Sequence, residues 1–460
     1  MKQKSRRTVL ATTAGVLPLL AGCTGSTDSD DDEHDDSTGD TPEASEEDTD
    51  SSSAESDESD WRSFRSGPTN DGFVETSVPK SEPSMQWRID LSTSIETTAA
   101  VDDGTIYAGV GSALHALEDG ESVWRVDLGS SVSGSPAVTD DFVVCPVGTE
   151  LVVTSRSGDE MRRIDLTAAS GAPSFANYQA QPRASSSPAV VGGTAYVGTA
   201  DDDLVAVTLE SGTVEWRTSP SEELRFQSQE QMPDSSLTSP AATDELVVVG
   251  TDSGVAAFDA TNGGKEWEQA TDWPVLSSPA VVDGTVYVDG PVPLALDASS
   301  ASVEWRSEDA FSSTQQSGDA PLGSLQEQPL AVRSSVAVED DLVVVNENGR
   351  RLIALERSDG TSRWETALEG TENSFASTTG DRTATSMLST RQAAPTGTSP
   401  TIAGDVVLVG TASGLVAVSL ADGDELWRFE TESQIGVSPV VDGGAVIVGD
   451  REGTLFSLEW

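Results

Sequence analysis

A short phrase that ends in Trp recurs along this 460-residue chain, and this repetition constrains the fold more than any other feature. The clearest copies read SPAVVGGTAYVGTADDDLVAVTLESGTVEW (187–216) and SPTIAGDVVLVGTASGLVAVSLADGDELW (399–427). Repetition at such a period is typical of propellers and solenoids, in which each repeat is one supersecondary unit. Each copy holds four short runs of β-branched and apolar residues separated by Gly, Asp and Ser. This pattern predicts four short strands joined by tight turns.

Alignment of the copies on the closing Trp gives eight fourth strands. One of them carries Arg162 at the aligned position. The other seven carry a Trp: Trp87, Trp124, Trp216, Trp267, Trp305, Trp364 and Trp427. The last copy ends at Trp460 after three strands, whereas the segment around Trp87 is a fourth strand with no first three. We therefore predict an all-β, eight-bladed β-propeller of four-stranded antiparallel blades, closed by the N-terminal Trp87 strand on the outside of the terminal sheet. Seven blades are the alternative if the Arg162 copy forms none.

The phrase SPxV…YVG…G.L.AL…G…W resembles the PQQ-binding-like, or quinoprotein-type, β-propeller repeat over residues 84–460. That family includes quinoprotein alcohol dehydrogenases and the BamB-like outer-membrane assembly lipoproteins. The resemblance implies that the seven Trp are structural residues that dock adjacent blades. Residues 61–72 resemble a leader that often precedes such propellers, which implies that 61–83 form a strap against the ring anchored by Trp61 and Phe64.

Residues 1–23 have the layout of an export signal, with a charged start, a short apolar stretch and small residues. Arg6 and Arg7 resemble a twin-arginine signal. Leu20–Cys23 resembles a lipobox, in which Cys23 becomes the lipidated first residue of the mature protein. We expect a protein exported by the twin-arginine route and lipid-anchored on the outer, extracytoplasmic face of the cell membrane. An ordinary cleaved signal with a chance Cys is the alternative.

Charge excludes some classes of partner. Residues 24–60 contain seventeen Asp or Glu and no Lys or Arg, which predicts a disordered acidic tether. Of the net charge of −52, −39 falls in residues 61–460. A folded part this acidic repels nucleic acid and anionic lipid head groups. The acidic, Lys-poor composition together with the twin arginines resembles haloarchaeal proteins, and we expect a monomeric propeller.

The spacing between copies indicates a candidate ligand face. We measure the interval from the Trp position of one copy to the position of the opening Ser-Pro proline in the next copy. This interval is twelve residues at four joints, but 24 to 36 residues after Arg162, Trp216, Trp305 and Trp364. Since the fourth strand of one blade and the first strand of the next meet on one side of the disc, all four insertions are expected on the same face. The candidate ligand-face residues in them are Phe175, Tyr178, Arg183, Arg225, Phe226, Arg333, Phe375, Arg382 and Arg391. Long solvated loops without a ligand are the alternative.

The residues favour a binding role over catalysis. The family's dehydrogenases use a metal beside the quinone, an Asp base and usually a vicinal Cys pair, and only Cys145 remains beyond Cys23. Cys145 is expected to be a buried, inert thiol, His115 a structural strand residue, and Asp201 to Asp203 a solvated turn. We predict no catalytic residue, no metal site and no cofactor, with PQQ and calcium unsupported. The sequence therefore predicts a surface scaffold that binds protein or glycan; a PQQ-dependent dehydrogenase with a divergent cofactor site is the alternative.

Overall fold

The structure, a computed structural model, describes residues 61–167, 186–199, 202–220, 237–308, 334–347, 349–368 and 398–460. These residues lie within one compact unit, Ser56–Trp460. They form eight separate sheets of four or five strands. Within the described ranges, no helix has the length and apolar character needed to cross a membrane.

Two strands precede the repeats, β1 (Phe73–Val74) and β2 (Ser84–Asp90). Blade 1 comprises β3 (Ala100–Asp102), β4 (Thr105–Val110), β5 (Ala113–Glu118) and β6 (Glu121–Asp127). Blade 2 comprises β7 (Ala137–Val138), β8 (Phe142–Val147), β9 (Glu150–Ser155) and β10 (Glu160–Asp165). Blade 3 comprises β11 (Ala189–Val191), β12 (Thr194–Gly198), β13 (Leu204–Thr208) and β14 (Thr213–Thr218). Blade 4 comprises β15 (Ala241–Ala242), β16 (Leu246–Thr251), β17 (Gly254–Asp259) and β18 (Lys265–Ala270).

Blade 5 comprises β19 (Ala280–Val282), β20 (Thr285–Val288), β21 (Leu294–Asp297) and β22 (Val303–Arg306). Blade 6 comprises β23 (Ala337–Glu339), β24 (Leu342–Asn346), β25 (Arg351–Glu356) and β26 (Ser362–Ala367). Blade 7 comprises β27 (Thr401–Ala403), β28 (Val406–Thr411), β29 (Gly414–Ser419) and β30 (Glu425–Glu430). Blade 8 comprises β31 (Val440–Asp442), β32 (Ala445–Gly449) and β33 (Thr454–Glu459), with β2 as its outer strand.

The ring closes between the two ends of the repeat array. Strand β2 pairs antiparallel with β33, from Ser84 opposite Glu459 to Asp90 opposite Thr454. The inner strand β31 of blade 8 contacts β3 of blade 1. The copy with Arg162 forms blade 2 like the others. The eight-bladed propeller and its closure by the Trp87 strand are therefore confirmed, and the seven-bladed alternative is excluded.

Burial separates the inner strands from the outer ones. The second and third strands, such as β28 and β29, are buried on both faces, because the neighbouring blades cover them. The outer strands alternate between exposed and half-buried positions, as in β6. The hydrophobic core consists of layers between successive blades. One such layer joins Tyr196 and Trp216 of blade 3 to Phe258 of blade 4.

A β-bulge precedes the Trp position in every outer strand. In blade 1, for example, Ala116 pairs with Trp124 and Leu117 with Ser122, which leaves Val123 as the additional residue. The bulged residues are Gln86, Val123, Met161, Glu215, Glu266, Glu304, Arg363 and Leu426. A bulge turns the following side chain and disrupts an otherwise exposed sheet edge. Arg162 follows the same bulge, so blade 2 keeps the geometry although it lacks the Trp.

Candidate functional site

Residues 61–79 are here called the leader, and residues 61–74 of it lie against the free edges of the innermost strands around the ring axis. Six leader carbonyl groups accept hydrogen bonds from inner-strand N–H groups of six different blades, at 2.7–2.9 Å. The pairs are Trp61 with Val101, Arg62 with Val138, Pro68 with Ala242, Thr69 with Val281, Asp71 with Val338, and Gly72 with Ile402. In addition, β1 pairs in parallel with β27. The leader thus gives hydrogen-bond partners to inner edges that no neighbouring blade can reach.

Two leader side chains are fully buried and hold it in place. Trp61, one of the two predicted anchors, is 0% exposed, whereas the other, Phe64, is only half-buried. Arg65 is also 0% exposed and is the deepest polar anchor. Sequence reasoning missed Arg65 because an Arg between Phe64 and Ser66 carries no signal of burial.

Arg65 and Asn70 bind the carbonyl groups of the repeated Ser-Pro phrase. Arg65 Nη1 donates to Pro400 O at 2.5 Å, and Nη2 donates to Val336 O. Asn70 Nδ2 donates to Pro240 O at 3.0 Å and to Pro279 O at 3.1 Å. Burial lowers the pKa of Arg65 to about 9, although the nearby Asp71 carboxylate opposes this shift. These two side chains connect the inner rims of blades 4, 5, 6 and 7.

Gly72 makes room for the Arg65 guanidinium. Its φ is +66°, and a β-carbon there would collide with Arg65 Nη2. The backbone N–H of Gly72 also donates to Arg65 O at 3.2 Å, which closes the leader into a loop. Only glycine meets both the conformational and the steric requirement at this position.

The Ser of the Ser-Pro phrase forms a chain of hydrogen bonds around the axis. The N–H of one Ser donates to Oγ of the equivalent Ser in the next blade, at 2.8–3.2 Å. The successive members are Ser135, Ser187, Ser239, Ser278, Ser335 and Ser399, from blade 2 to blade 7. This contact explains why Ser recurs in the phrase, a role that sequence reasoning did not assign.

The Trp residues lie at the joints between blades, on the outer side of the ring. Six indole N–H groups donate at 2.7–2.9 Å to backbone carbonyl groups: Trp124 to Arg156, Trp216 to Ala260, Trp267 to Ala298, Trp305 to Arg357, Trp364 to Leu420, and Trp427 to Pro79. In five of these joints the acceptor belongs to the next blade. Trp427 reaches the leader instead, because the outer strand of blade 8 comes from the N-terminal part of the chain.

At most of these joints a glycine packs against the indole ring of the Trp. The turns between third and fourth strands place Gly263 against Trp216, Gly360 against Trp305 and Gly423 against Trp364, each with φ near +70°. Gly212 meets the aliphatic part of Arg162 in the same way. The recurring Gly and Trp are therefore two halves of one contact.

The disc has two faces, which differ in the connections between strands that they carry. We call the side with the turns between first and second strands, and between third and fourth strands, the turn face. The opposite side, where fourth strands end and first strands begin, is called the insertion face. All four insertions, 166–187, 218–238, 307–335 and 366–398, leave and rejoin the ring there. The nine candidate ligand-face residues lie outside the described residues, as do Arg6, Arg7 and Cys23.

The insertion face carries a buried polar cluster in blades 5 and 6. In five blades the second strand ends near a Gly that leaves space for an apolar side chain, as Gly250 does for Val275 and Gly410 for Ile435. In blades 5 and 6 the equivalent residues are Asp289 and Asn346, both 0% exposed. They contact Ser334 and Thr398, the residues at which the description of the ring resumes after two of the insertions.

One hydroxyl group connects these two residues. Ser334 Oγ lies 3.1 Å from Asp289 Oδ2 and 2.9 Å from Asn346 O. Because a hydroxyl group has a single hydrogen, both contacts are fully satisfied when the carboxyl is protonated and donates to Ser334. Burial raises the pKa of Asp289 to about 8 and Glu347 adds to this, while the hydrogen bonds from Ser334 and Gly290 oppose it. The raised pKa favours the protonated form of Asp289, which donates to Ser334 and bridges two blades.

The remaining candidate residues have structural surroundings. Cys145 is fully buried, and burial raises the pKa of its thiol to about 12. His115 is 8% exposed on β5, and burial followed by the Arg125 charge lowers its pKa. Asp203 was predicted to be solvated, and this is wrong: it is 4% exposed and pairs with Arg217 at 3.2 Å. The prediction failed because Arg217, across the hairpin, provides a counter-charge that the turn sequence alone does not show.

The described residues do not fit a quinone cofactor held beside a metal ion. A hard cation needs several oxygen ligands at one point. Among the described residues, no group of three His, Cys, Asp or Glu side chains converges to provide them. Arg65 Nη1, Arg65 Nη2 and Asn70 Nδ2 donate to the protein's own carbonyl groups at the inner rims of the blades.

Solved structures with the same fold include BamB and quinohemoprotein alcohol dehydrogenases. BamB from Moraxella catarrhalis is similar with a TM-score of 0.58 and 14% identity, covering 82% of this chain and 100% of that one. Quinohemoprotein alcohol dehydrogenases from Comamonas testosteroni and Pseudomonas putida give TM-scores of 0.61 and 0.64 at 14% and 15% identity, each covering 87% of this chain and 80% of the other. Identities this low show the fold alone.

No curated protein matches the sequence. A family model described as "Outer membrane protein assembly factor BamB" matches residues 77–232 and 223–459, which together span the ring. The match extends over every blade described above and covers most of the chain. The chain therefore belongs to this family of PQQ-type β-propellers, whose model is named after the assembly factor BamB.

Proposed function

We propose that this protein is a lipid-anchored, extracytoplasmic scaffold that binds a protein or a glycan through its insertion face. The observation that carries the proposal is the uneven length of the joints: four of the eight are lengthened, all on one face. Loops on a rigid ring are where such scaffolds place recognition. The strands, the Ser chain and the Trp joints are committed to packing.

The fold family supports a binding role. BamB from Moraxella catarrhalis has the same fold over its whole length, and the family model that matches this chain is described as an outer membrane protein assembly factor. Membership in the family does not name a partner, because one fold serves many functions. The charge of −39 in residues 61–460 favours a partner that is neither nucleic acid nor an anionic membrane surface.

The binding face is tested by shortening the insertions singly and together. Each is replaced by the twelve-residue joint that follows Trp124, which is native to this ring. Crosslinking on intact cells and a glycan array are then compared between the wild type and the variants. Loss of a defined crosslinked partner or glycan signal in one variant, with unchanged thermal unfolding, supports the proposal. A signal that survives removal of all four insertions places recognition elsewhere.

Anchoring is tested separately with Cys23→Ser. The variant is expected to leave the membrane fraction and appear in the medium, whereas Cys145→Ser serves as the matched control. Equal membrane association of the Cys23→Ser variant overturns the lipid anchor.

The competing function is that of a dehydrogenase with a divergent quinone site. It predicts saturable binding of PQQ with calcium and dye-linked alcohol oxidation by the full chain, and either result overturns the scaffold proposal.

A further inference from the structure

The chain enters the ring at the axis, beside blade 1. Trp61, the first residue that the structure describes, is 0% exposed and forms an antiparallel bridge with Val101 of the innermost strand β3. In this bridge the Val101 N–H donates to Trp61 O at 2.7 Å. The entry point is therefore fixed both by backbone pairing and by burial of the Trp61 side chain.

The antiparallel bridge gives the chain a direction along the axis. Strand β3 begins on the insertion face, like every first strand, and ends on the turn face, where Asp103 and Gly104 join it to β4. Because the leader runs in the opposite direction beside β3, its backbone at Trp61 comes from the turn face and proceeds toward the insertion face. The segment that precedes Trp61 therefore leaves the ring on the turn face.

Ion pairs on the turn face hold the next residue of the leader. Arg62 Nε lies 2.6 Å from Asp102 Oδ1, and Arg62 Nη1 donates to Asp140 Oδ1 at 2.8 Å. Asp102 ends the first strand of blade 1, and Asp140 lies in the turn between the first and second strands of blade 2. Since Arg62 O also accepts a hydrogen bond from the Val138 N–H, both the side chain and the backbone of Arg62 are held.

The other end of the leader is held on the same face. Lys80 Nζ pairs with Asp405 Oδ2 at 2.5 Å, and Ser77 packs against Gly404. Gly404 and Asp405 form the turn between the first and second strands of blade 7. The leader thus enters and leaves the axis on the turn face, whereas the four longer connections begin and end on the opposite face.

The length of the predicted tether favours one orientation of the ring at a membrane. A flexible chain of the 37 residues from 24 to 60 has a root-mean-square reach of about 35 Å in high salt, which screens its charges. With the insertion face on the membrane, the tether would cross about four strand spacings, roughly 20 Å, and then pass the length of a six-residue strand, roughly another 20 Å. With the turn face toward the membrane, no such path is needed.

We propose that the turn face is directed toward the surface that holds this chain, and that the insertion face is directed away from it. This inference rests on the proposed function for the identity of the surface, which is the membrane that carries the lipidated Cys23. The partner of the insertions is then a macromolecule that approaches from outside the cell. A protein embedded in the same membrane would lie on the wrong side of the ring.

Energy transfer from dyes on the two faces to a lipid bilayer tests the proposal. Asp244→Cys places a donor dye in a turn of blade 4 on the turn face, and Asp272→Cys places it in the connection from blade 4 to blade 5 on the insertion face. Both residues are exposed, both substitutions remove one negative charge, and the buried Cys145 is out of reach of the dye. The lipidated full chain is bound in high salt to phosphatidylcholine vesicles that carry an acceptor dye on their head groups.

Transfer should be about twofold more efficient from the dye on Asp244→Cys than from the dye on Asp272→Cys. Equal transfer from the two positions, or the reverse order, overturns the proposal.

A second measurement separates this orientation from the lipid anchor. A chain that begins at residue 24 with a hexahistidine tag is bound to vesicles that contain a nickel-chelating lipid, so the same tether holds the ring without lipidation. The same order of transfer is expected, and its absence overturns the proposal. The expected order in the tagged chain, together with failure of the full chain to bind vesicles through Cys23, would contradict the anchor and leave the orientation supported.

Discussion

The indole ring of Trp216 lies over Gly263, a residue of the next blade with a φ of +71°. The indole N–H of Trp216 donates at 2.9 Å to Ala260 O, in the same turn. One side chain therefore both packs against and hydrogen-bonds to the neighbouring blade. The same pairing of a Trp with a turn glycine recurs at several joints, whereas Ala301, with a φ of +59°, holds the equivalent position in blade 5.

Gly263→Ala should destabilise the ring more than an alanine at a comparable glycine. Both backbone strain and collision with Trp216 act there, and overpacking of this kind costs about 1–3 kcal/mol. Gly193→Ala is the matched control, because Gly193 has a φ of +79° in the same region but no atom within 4 Å of an added β-carbon. Urea unfolding in high salt measures both. Equal losses would show that the Trp–Gly contact contributes nothing beyond backbone conformation.

Arg65→Leu should loosen the leader and destabilise the whole ring. The substitution leaves the buried carbonyl groups of Pro400 and Val336 without donors, at a cost of about 2–4 kcal/mol in the free energy of unfolding. Arg88→Leu, on the exposed outer strand β2, should stay within about 0.5 kcal/mol of the wild type. Similar values for the two variants would contradict the role of Arg65 as an anchor.

Ser278→Ala should remove one member of the hydrogen-bond chain around the axis. The partly buried Ser239 N–H then loses its acceptor at 3.1 Å, which costs about 1 kcal/mol. Ser84→Ala, at the exposed start of β2, provides the control. Chemical unfolding measures both, and no difference between them would argue that water replaces the hydroxyl group.

Asp289→Asn should change how stability depends on pH. The folded-state pKa of Asp289 is raised from 3.8 to about 8, so between these values the folded protein binds a proton that the unfolded chain has lost. The Asp289 contribution to stability is therefore present near pH 4 and is lost as the pH rises toward 8, with a limiting slope of about 1.4 kcal/mol per pH unit. Asparagine keeps a donor toward Ser334 and cannot ionise.

The check is the difference in the free energy of unfolding between the Asn variant and the wild type, measured at constant salt from pH 4 to pH 9. It should be near zero at pH 4 and rise in favour of the variant toward pH 8. The nearby ion pairs of Arg351 with Glu347 and Glu365 are the same in both proteins. A difference independent of pH would show that Asp289 is ionised in the folded state.

Local periodicity explains why the ring itself could be predicted from the sequence. Strand-forming runs, turn residues and the closing Trp repeat within about one blade, and Trp87 without preceding strands can only complete the sheet that ends at Trp460. The Trp joints also follow a local rule, which even the Arg162 copy obeys. By contrast, Asp203 was misjudged because its ion-pair partner lies on another strand.

The sequence by itself determined the number of blades, the closing strand and the side of the disc on which the four longer connections begin and end, since these depend on the order and spacing of short elements. Only the tertiary structure decided what lies on the axis. Arg65 and Pro400 are separated by 335 residues, and Trp87 and Ser457, which pair in blade 8, come from opposite ends of the repeat array. Such contacts arise when closure brings distant segments together, and no local pattern encodes them.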